Sequence, residues 1–216
     1  MSGTTYIPAL RFHWLTKMYD AVVGLFMPER RFKQAMISRA GLCGDEKILD
    51  FGTGTATLSL MLEKALPGLQ ITAIDVDEKV LRIAKSKIGD TAIQLVHYGG
   101  ERLPFENNTF DCVVSSLVMH HLTGTQKQSA FREILRIIQP KGRLVIADWG
   151  LPANRSQRLL FYLVQWLDGF ETTTANLQGL VPNMISAAGF REVMRHERFQ
   201  TVFGTLEILS ASKKDP

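Results

Sequence analysis

Short apolar runs alternate with segments of helical periodicity through the middle of the chain. The runs predict five strands, at 47–51, 70–74, 92–97, 111–116 and 143–148. Between them, apolar residues recur at spacings of three and four, which predicts helices at 55–66, 77–88 and 125–138. Strands that alternate with helices in this way form a parallel, doubly wound sheet.

The two ends of the chain have patterns of their own. The spacing of apolar residues predicts further helices at 9–27, 29–41, 154–168 and 177–188. Two final strands, 197–203 and 205–212, are separated only by Gly204 and should therefore pair antiparallel. The predicted fold class is α/β, with a doubly wound, seven-stranded sheet that is mostly parallel and has an antiparallel C-terminal edge hairpin.

Composition narrows the class of protein. The chain has 216 residues and is 45% hydrophobic, which is enough to fill the core of one domain. Two cysteines, Cys43 and Cys112, exclude a disulfide framework and a four-thiolate metal site, and they fit a reducing compartment. The sequence shows neither a signal-peptide pattern nor the ~20-residue apolar run of a membrane span, so we expect a cytoplasmic location.

The positive charge is concentrated near the N-terminus. Residues 1–40 hold two acidic side chains and six basic ones, Arg11, Lys17, Arg30, Arg31, Lys33 and Arg39, and the whole chain has a net charge of +4. A basic segment can contact nucleic acid, an anionic membrane or an acidic substrate, or it can be the solvated face of a helix. We expect no nucleic-acid partner, and we leave open a peripheral membrane contact through these basic N-terminal helices.

The segment from Ile48 to Ala56 is chemically the most informative. Its strand ends in a glycine turn, Asp50-Phe51-Gly52-Thr53-Gly54, which leads into a helix. Glycines let backbone amides approach a ligand closely, and a helix N-terminus adds partial positive charge. A pyrophosphate gains nothing from a carboxylate at Asp50, whereas a ligand with an ammonium group does. The turn therefore favours S-adenosylmethionine (SAM) over NAD, whose fingerprint has a third glycine where this chain has other residues.

Polar residues follow every predicted parallel strand. In open α/β sheets the ligand lies outside the carboxyl ends of the strands. Those ends here carry Asp50, Asp75, the 98–101 loop, the 115–121 segment and Asp148. Asp75 suits the two hydroxyls of a ribose, and Asp77 is better placed than Asp75 to cap the next helix.

These motifs together resemble those of a known family. The turn at Asp50, then Asp75, Leu103-Pro104-Phe105, His120-His121-Leu122 and Gln139-Pro140-Lys141-Gly142 are similar to class I SAM-dependent methyltransferases. The resemblance covers residues 45–150 and is greatest to the small-molecule group typified by the ubiquinone/menaquinone C-methyltransferases. It implies a Rossmann-like fold, SAM as cofactor and S-adenosylhomocysteine as product. It also implies a single methyltransferase domain, 1–216, composed of an N-terminal helical cap (1–44), a SAM-binding core (45–150), a helical substrate lid (151–190) and C-terminal strands (191–216).

The resemblance also assigns roles to matched positions. Asp50, Gly52 and Gly54 would line the methionine end of SAM, and Asp75 would hold the ribose. The remaining cofactor-binding positions would be Val76, Gly100 and Glu101 around the adenine, with Ser116 and Leu117 beneath the cofactor. This chain departs from the family pattern in having Ala56 at the third small position of the turn. It also has Gly99 where relatives carry an aspartate, so Glu101 or a backbone carbonyl would have to contact the adenine amino group.

Methyl transfer needs mainly alignment of donor and acceptor, which can supply ~7–11 kcal/mol. A general base is required only if the acceptor loses a proton. His120 and His121 are the candidates, with His121 favoured, and Tyr19 of the N-terminal segment could close over the acceptor. Ser115-Ser116-Leu117 stands where catechol-type relatives have metal-binding carboxylates, so we expect a metal-independent reaction and no metal ligands.

The acceptor itself is the least determined part. Aromatic residues of the lid segment, Trp149, Phe161, Tyr162, Trp166 and Phe170, either belong to the core or line an apolar pocket. The favoured function is methyl transfer from SAM to a small, partly apolar acceptor that is quinone-, lipid- or aromatic-like. A non-catalytic SAM-binding regulatory module and an NAD-dependent oxidoreductase are the alternatives. The sequence leaves carbon, nitrogen, oxygen and sulfur open as the methylated atom.

Overall fold

The structure, a computed structural model, describes residues 27–215. Its strands are β1 (Lys47–Phe51), β2 (Gln70–Asp75), β3 (Gln94–His97), β4 (Phe110–Ser116), β5 (Ile138–Trp149), β6 (Arg191–Gln200) and β7 (Thr205–Ser212). Its α-helices are α1 (Glu29–Ala40), α2 (Thr57–Ala65), α3 (Glu78–Ile88), α4 (Gly124–Ile137), α5 (Arg155–Asp168), α6 (Phe170–Leu177) and α7 (Val181–Ala187). A short 3₁₀ helix, Met119–His121, follows β4.

The strands of the described residues form one seven-stranded sheet in the order β3-β2-β1-β4-β5-β7-β6. Strands β1 to β5 pair in parallel, and β7 is antiparallel to both of its neighbours, β5 and β6. The predicted fold class is therefore confirmed, with β6 rather than β7 at the edge. The strand order reverses between β1 and β4, and the crevice at such a reversal is where α/β sheets bind ligands.

Helices cover both faces of the sheet. Along β1, Ile48 belongs to one buried core cluster and Leu49 to the other, because successive side chains of a strand point to opposite faces. The cluster around Ile48 includes residues of α1, α2, α3 and α5, and the cluster around Leu49 includes residues of α4 and α7. The central strands are thus buried on both sides, as the apolar run in β4 indicates.

The largest departures from the predicted elements concern β5, the 170–188 segment and β6. Strand β5 begins at Ile138 and takes in Pro140-Lys141-Gly142, next to a register shift opposite β4, where a proline is tolerated. Residues 170–177 form an additional helix, and β6 begins at Arg191 rather than at position 197. The helix predicted at 9–27 lies almost entirely outside the described residues. Within residues 27–215, no helix combines the length and the apolar character needed to cross a membrane.

Candidate active site

The glycine turn is fixed by the backbone of the neighbouring strand. The amides of Gly52 and Thr53 both donate to the carbonyl of Ile74 at the end of β2, at 2.9 and 3.0 Å. Gly52 has a φ of +71°, and a Cβ there would lie 2.4 Å from Cγ2 of Val118. Gly54 also has a positive φ, +57°, but a Cβ there would meet no atom within 4 Å. Gly52 is therefore required for packing, whereas Gly54 borders open space that a ligand can occupy.

Asp50 lies in the floor of this turn with its side chain buried, at 1% exposure. Its Oδ2 accepts hydrogen bonds from the hydroxyls of Thr53, at 2.8 Å, and Ser59, at 2.6 Å. Burial raises the pKa of Asp50, and the two hydroxyls oppose this shift. A buried carboxylate held in this way is stabilised by an ammonium group of a ligand.

Asp75 connects the end of β2 to the turn. Its Oδ2 accepts from the amide of Gly54 at 2.9 Å, and its Oδ1 accepts from the amide of Asp77 at 3.0 Å. The helix cap is Asp77, whose side chain accepts from the amides of Lys79 and Val80. Each oxygen of Asp75 has a second lone pair, so the carboxylate can also accept from two ribose hydroxyls.

The loop after β3 approaches the end of β2. A Cβ on Gly100, which has a φ of +87°, would lie 3.5 Å from Val76 Cγ1, and His97 Nε2 lies 3.1 Å from the carbonyl oxygen of Val76. The ring of Tyr98 packs against Phe51, with centroids 6.2 Å apart. Burial, and then the nearby carboxylate of Asp75, raise the pKa of Tyr98. Val76 and Gly100 therefore lie side by side, and Glu101 is exposed beyond them.

The end of β4 contains an unusual backbone and an unsatisfied hydroxyl. Leu117 has a φ of +59°, a left-handed conformation that is costly for a leucine, and its amide donates to the carbonyl of Ala147 at 2.8 Å. The Oγ of Ser116 is buried without a hydrogen-bond partner among the described residues. Backbone strain of this kind is concentrated at functional sites.

The carboxyl ends of the parallel strands form a rim, and these observations fit SAM as its ligand. Asp50 offers a carboxylate for an ammonium group, Asp75 offers two acceptors for hydroxyls, and Gly54 leaves room between them. Ser116 supplies a polar atom that lacks a protein partner within residues 27–215. The structure thus brings together the strand ends that the sequence predicted to converge.

The two histidines differ sharply in their surroundings. His120 is buried, with Nδ1 2.7 Å from Oδ1 of Asp148 and Nε2 3.8 Å from Oδ2 of Asp168. Burial opposes its charge, but the two carboxylates outweigh this effect and raise the pKa of His120. His121 is exposed on one side, and its ring centroid lies 4.0 Å from that of His120. Crowding by the surrounding protein, and then the charge of His120, lower the pKa of His121.

Helix α6 is anchored beside the same ion pair. The buried amine of Lys127 donates to the carbonyls of Leu122 and Thr172, and burial lowers its pKa to about 8. The side-chain Nδ2 of Asn176 donates to the carbonyl of Trp149 at 3.0 Å and to Asp148 Oδ1 at 3.4 Å. Together these contacts hold α6 against the carboxyl end of β5.

The cluster around His120 also has residue types that can hold a metal ion. Within the described part of the chain, ligand atoms of His120, His121 and Asp168 lie within 4.8 Å of one another. Both nitrogens of His120 already face carboxylates, so a protonated His120 accounts for the arrangement without a metal ion. The expectation that the reaction is metal-independent stays a prediction.

Sequence reasoning missed three of these residues. Asp168 ends α5, where the helix dipole disfavours an acid, and that discordance was a usable signal. Lys127 shares a helix face with the buried Phe131 and Ile134, an unusual position for a lysine. Asn176 gave no signal. The candidate Tyr19 lies outside the described residues.

Comparison with known proteins identifies a domain and a group of relatives. Residues 49–146 match the family model described as a methyltransferase domain. The ubiquinone/menaquinone biosynthesis C-methyltransferase UbiE of Blochmanniella floridana is 31% identical over 74% of this chain. The match covers 65% of that relative, and 58% of the corresponding protein of Pseudomonas entomophila, so the chain spans about three fifths of the curated relatives it matches.

Solved structures support the fold. Phosphoethanolamine N-methyltransferase 2 of Haemonchus contortus, in complex with SAM, aligns with a TM-score of 0.68 at 17% identity, over 86% of this chain and 53% of that one. The cyclase SpnF aligns with a TM-score of 0.69 at 19% identity, over 86% and 82%. At these identities the likeness concerns the fold alone. Together with the match to the family model, this fold makes residues 49–146 a SAM-dependent methyltransferase domain, in a chain similar to the ubiquinone/menaquinone C-methyltransferases.

Proposed function

We propose that this protein transfers a methyl group from SAM to a small, partly apolar acceptor of the quinone or lipid type. The observation that supports the donor half is the position of buried Asp50 beside the open space at Gly54. Bound SAM supplies an activated methyl group on a sulfonium. Asp50 would neutralise the ligand's ammonium group, and Asp75 would accept from its ribose hydroxyls. Val76 and the Gly100–Glu101 loop would border the adenine, with Ser116 and Leu117 below.

We propose that His121 is the general base that takes a proton from the acceptor. Its ring is open to solvent on one side, and burial of the rest of the ring, followed by the charge of His120, lowers the pKa of His121 to about 3. His121 is therefore neutral near pH 7 but a weak base, so we assign it the acceptance of a proton that methyl transfer has already made acidic on the acceptor. His120 would not act on the acceptor directly, because its two nitrogens face Asp148 and Asp168.

The class of acceptor is supported by the names of the relatives. Relatives that are 31% and 28% identical to this chain are named as ubiquinone/menaquinone biosynthesis C-methyltransferases. Of the lid aromatics, Trp149 and Phe161 are core residues that pack edge-to-face, whereas Tyr162, Trp166 and Phe170 are exposed at the surface. Of the two interpretations left open for these aromatics, the core position holds for Trp149 and Phe161, and the other three place apolar surface on the outside of α5 and α6.

A labelling experiment tests this proposal. Purified protein is incubated with methyl-tritiated SAM and fractionated cell extract, and label is counted in the lipid and aqueous fractions. We expect label in the lipid fraction, and a His121→Ala variant that transfers label at least ~100-fold more slowly, the usual contribution of a general base. His196→Ala, on the edge strand β6, serves as the matched histidine control.

Two results would contradict the proposal. SAM binding without transfer of label to any fraction would support the alternative of a non-catalytic SAM-binding module. Label that enters only the aqueous fraction would refute the apolar acceptor while leaving methyl transfer intact.

A further inference from the structure

The outer face of α5 is a stripe of large apolar side chains exposed to solvent. We define it as Leu159, Tyr162, Leu163, Trp166 and the adjoining Phe170 of α6. Their exposures are 68%, 46%, 55%, 61% and 52%. Among the described residues this is an unusual concentration of exposed apolar side chains, and exposed apolar surface of this kind marks interaction sites.

The stripe follows from the geometry of the helix. The first four residues are spaced at i, i+3, i+4 and i+7, so they lie on one side of α5. The opposite side carries Gln157, Phe161 and Val164, which are buried against the core. The inner side thus already accounts for the attachment of α5 to the protein. A helix that is apolar on its outer side as well is suited to a second apolar environment.

Basic residues accompany the stripe. Arg155 lies one turn before Leu159 on the same side, and the guanidinium of Arg158 lies 4.3 Å from the ring centroid of Tyr162. The acid of α5, Asp168, is turned inward toward His120, and Glu171 of α6 is the exposed acid nearest in sequence. The stripe therefore combines aliphatic, aromatic and cationic side chains, the combination found in helices that lie in the headgroup region of anionic membranes.

We propose that the outer face of α5 docks on the surface of an anionic lipid bilayer. Leu159, Leu163 and Trp166 would enter the boundary between headgroups and acyl chains, and Arg155 and Arg158 would contact lipid phosphates. The contact differs from the one considered for the N-terminal helices, where Lys33 and Arg39 of α1 are paired with Glu29 and Glu197.

Docking through α5 would place the candidate active site close to the bilayer. The helix ends at Asp168, whose carboxylate lies 3.8 Å from His120. An apolar acceptor dissolved in the membrane would then reach His121 over a short path. The inference itself does not depend on methyl transfer, because membrane binding is measured without SAM and without an acceptor.

Vesicle binding tests the proposal. The full chain is sedimented with vesicles of phosphatidylcholine, either alone or mixed with an equal part of phosphatidylglycerol. We expect binding to the mixed vesicles and at least ~10-fold weaker binding to phosphatidylcholine alone. A Leu163→Ser, Trp166→Ser double variant should bind the mixed vesicles at least ~10-fold more weakly, because it removes two apolar side chains that would be buried in the bilayer. The matched control is Ile83→Ser on α3, which removes a side chain that is 57% exposed elsewhere and should bind like the wild type.

The fluorescence of Trp166 gives a second readout. Vesicles should shift the tryptophan emission of the wild type to shorter wavelength, and this shift should be absent in Trp166→Phe. Wild-type protein that stays in the supernatant with both kinds of vesicle would overturn the proposal. So would a concentration-dependent dimer, by light scattering, that Leu163→Ser dissociates, because the occupant of the stripe would then be a second copy. A Leu163→Cys variant tests whether residues 1–26 cover the stripe. If its thiol is labelled slowly without vesicles, the stripe is already covered by the protein and the proposal is overturned.

Discussion

Gly52 and Gly54 have similar backbone angles but different surroundings. Both adopt left-handed conformations, with φ of +71° and +57°, which cost an L-residue roughly 1–2 kcal/mol. Only Gly52 faces a neighbour, since its missing Cβ would overlap the side chain of Val118. The two positions therefore separate packing from ligand binding within one turn.

Alanine at the two glycines should have different effects. Gly52→Ala should destabilise the fold by about 2–5 kcal/mol, the sum of backbone strain and overpacking against Val118. Gly54→Ala should cost only about 1–2 kcal/mol but should weaken SAM binding, because its Cβ enters the ligand space. Urea unfolding and calorimetric titration with SAM measure the two effects. Equal losses of stability, with unchanged SAM binding by Gly54→Ala, would contradict these roles.

Single residues were predictable where their chemistry conflicts with their position. Asp50 drew attention because a carboxylate before a glycine turn is unsuited to phosphate, and its burial in the structure agrees with a specific role. Lys127 and Asn176 could not be assigned, because their partners, Thr172 and Trp149, are distant in the sequence and become neighbours only after folding.

The 3₁₀ helix after β4 connects three elements through one ion pair. His120 of this helix pairs with Asp148 of β5 and faces Asp168 of α5. The pKa of His120 is raised and that of Asp148 is lowered. Stabilisation by His120 is therefore complete below its unfolded pKa near 6.5 and is lost as the pH rises through its folded pKa. The contribution of Asp148 is present above a pKa of about 3.9 and is lost as the pH falls.

Replacing His120 should change the pH dependence of stability. His120→Gln should lower the unfolding free energy by about 3–5 kcal/mol at pH 6, because Asp148 is left buried without its partner. The difference between the two proteins should shrink as the pH rises above neutral. Chemical unfolding at several pH values measures this difference in unfolding free energy. Lys127 titrates in both proteins, so its contribution is common to the two. His196→Gln, whose ring contacts the Ser210 hydroxyl, should keep the wild-type pH profile. A difference that is constant from pH 6 to alkaline pH would disprove the ion pair.

Elements with strong periodicity were predicted well, and α6 was not. Its sequence contains Thr172, Thr173 and Thr174, residues with low helix propensity. In the structure their hydroxyls donate to carbonyls three or four residues earlier, and Lys127 holds the helix from outside. Tertiary contacts therefore override local preference here. The early start of β6 has a similar origin, since Arg191 pairs with Ser212 of β7 across the edge of the sheet.

At the scale of the molecule, the strand order brings distant carboxylates to one rim. Asp50, Asp75 and Asp148 lie at the carboxyl ends of three different strands, and the sheet places these ends on the same side. Alternation of strands and helices predicted this convergence, because parallel strands share a carboxyl edge. The exposure of the outer face of α5 could not be predicted, since a stripe of aromatics at helical spacing is the same for a core helix and a surface helix.

SAM binding by wild-type protein and by Asp50→Asn tests the account most directly. The amide can still accept from Thr53 and Ser59, and it removes a buried charge whose pKa is raised by burial. We therefore expect Asp50→Asn to be at least as stable as the wild type without ligand. In isothermal calorimetry the wild type should bind SAM and S-adenosylhomocysteine, and the variant should bind both about 10–100-fold more weakly, as expected for a lost charged hydrogen bond of about 1.5–3 kcal/mol. A folded wild type that binds neither ligand, or a variant that binds both as tightly as the wild type, would contradict the account.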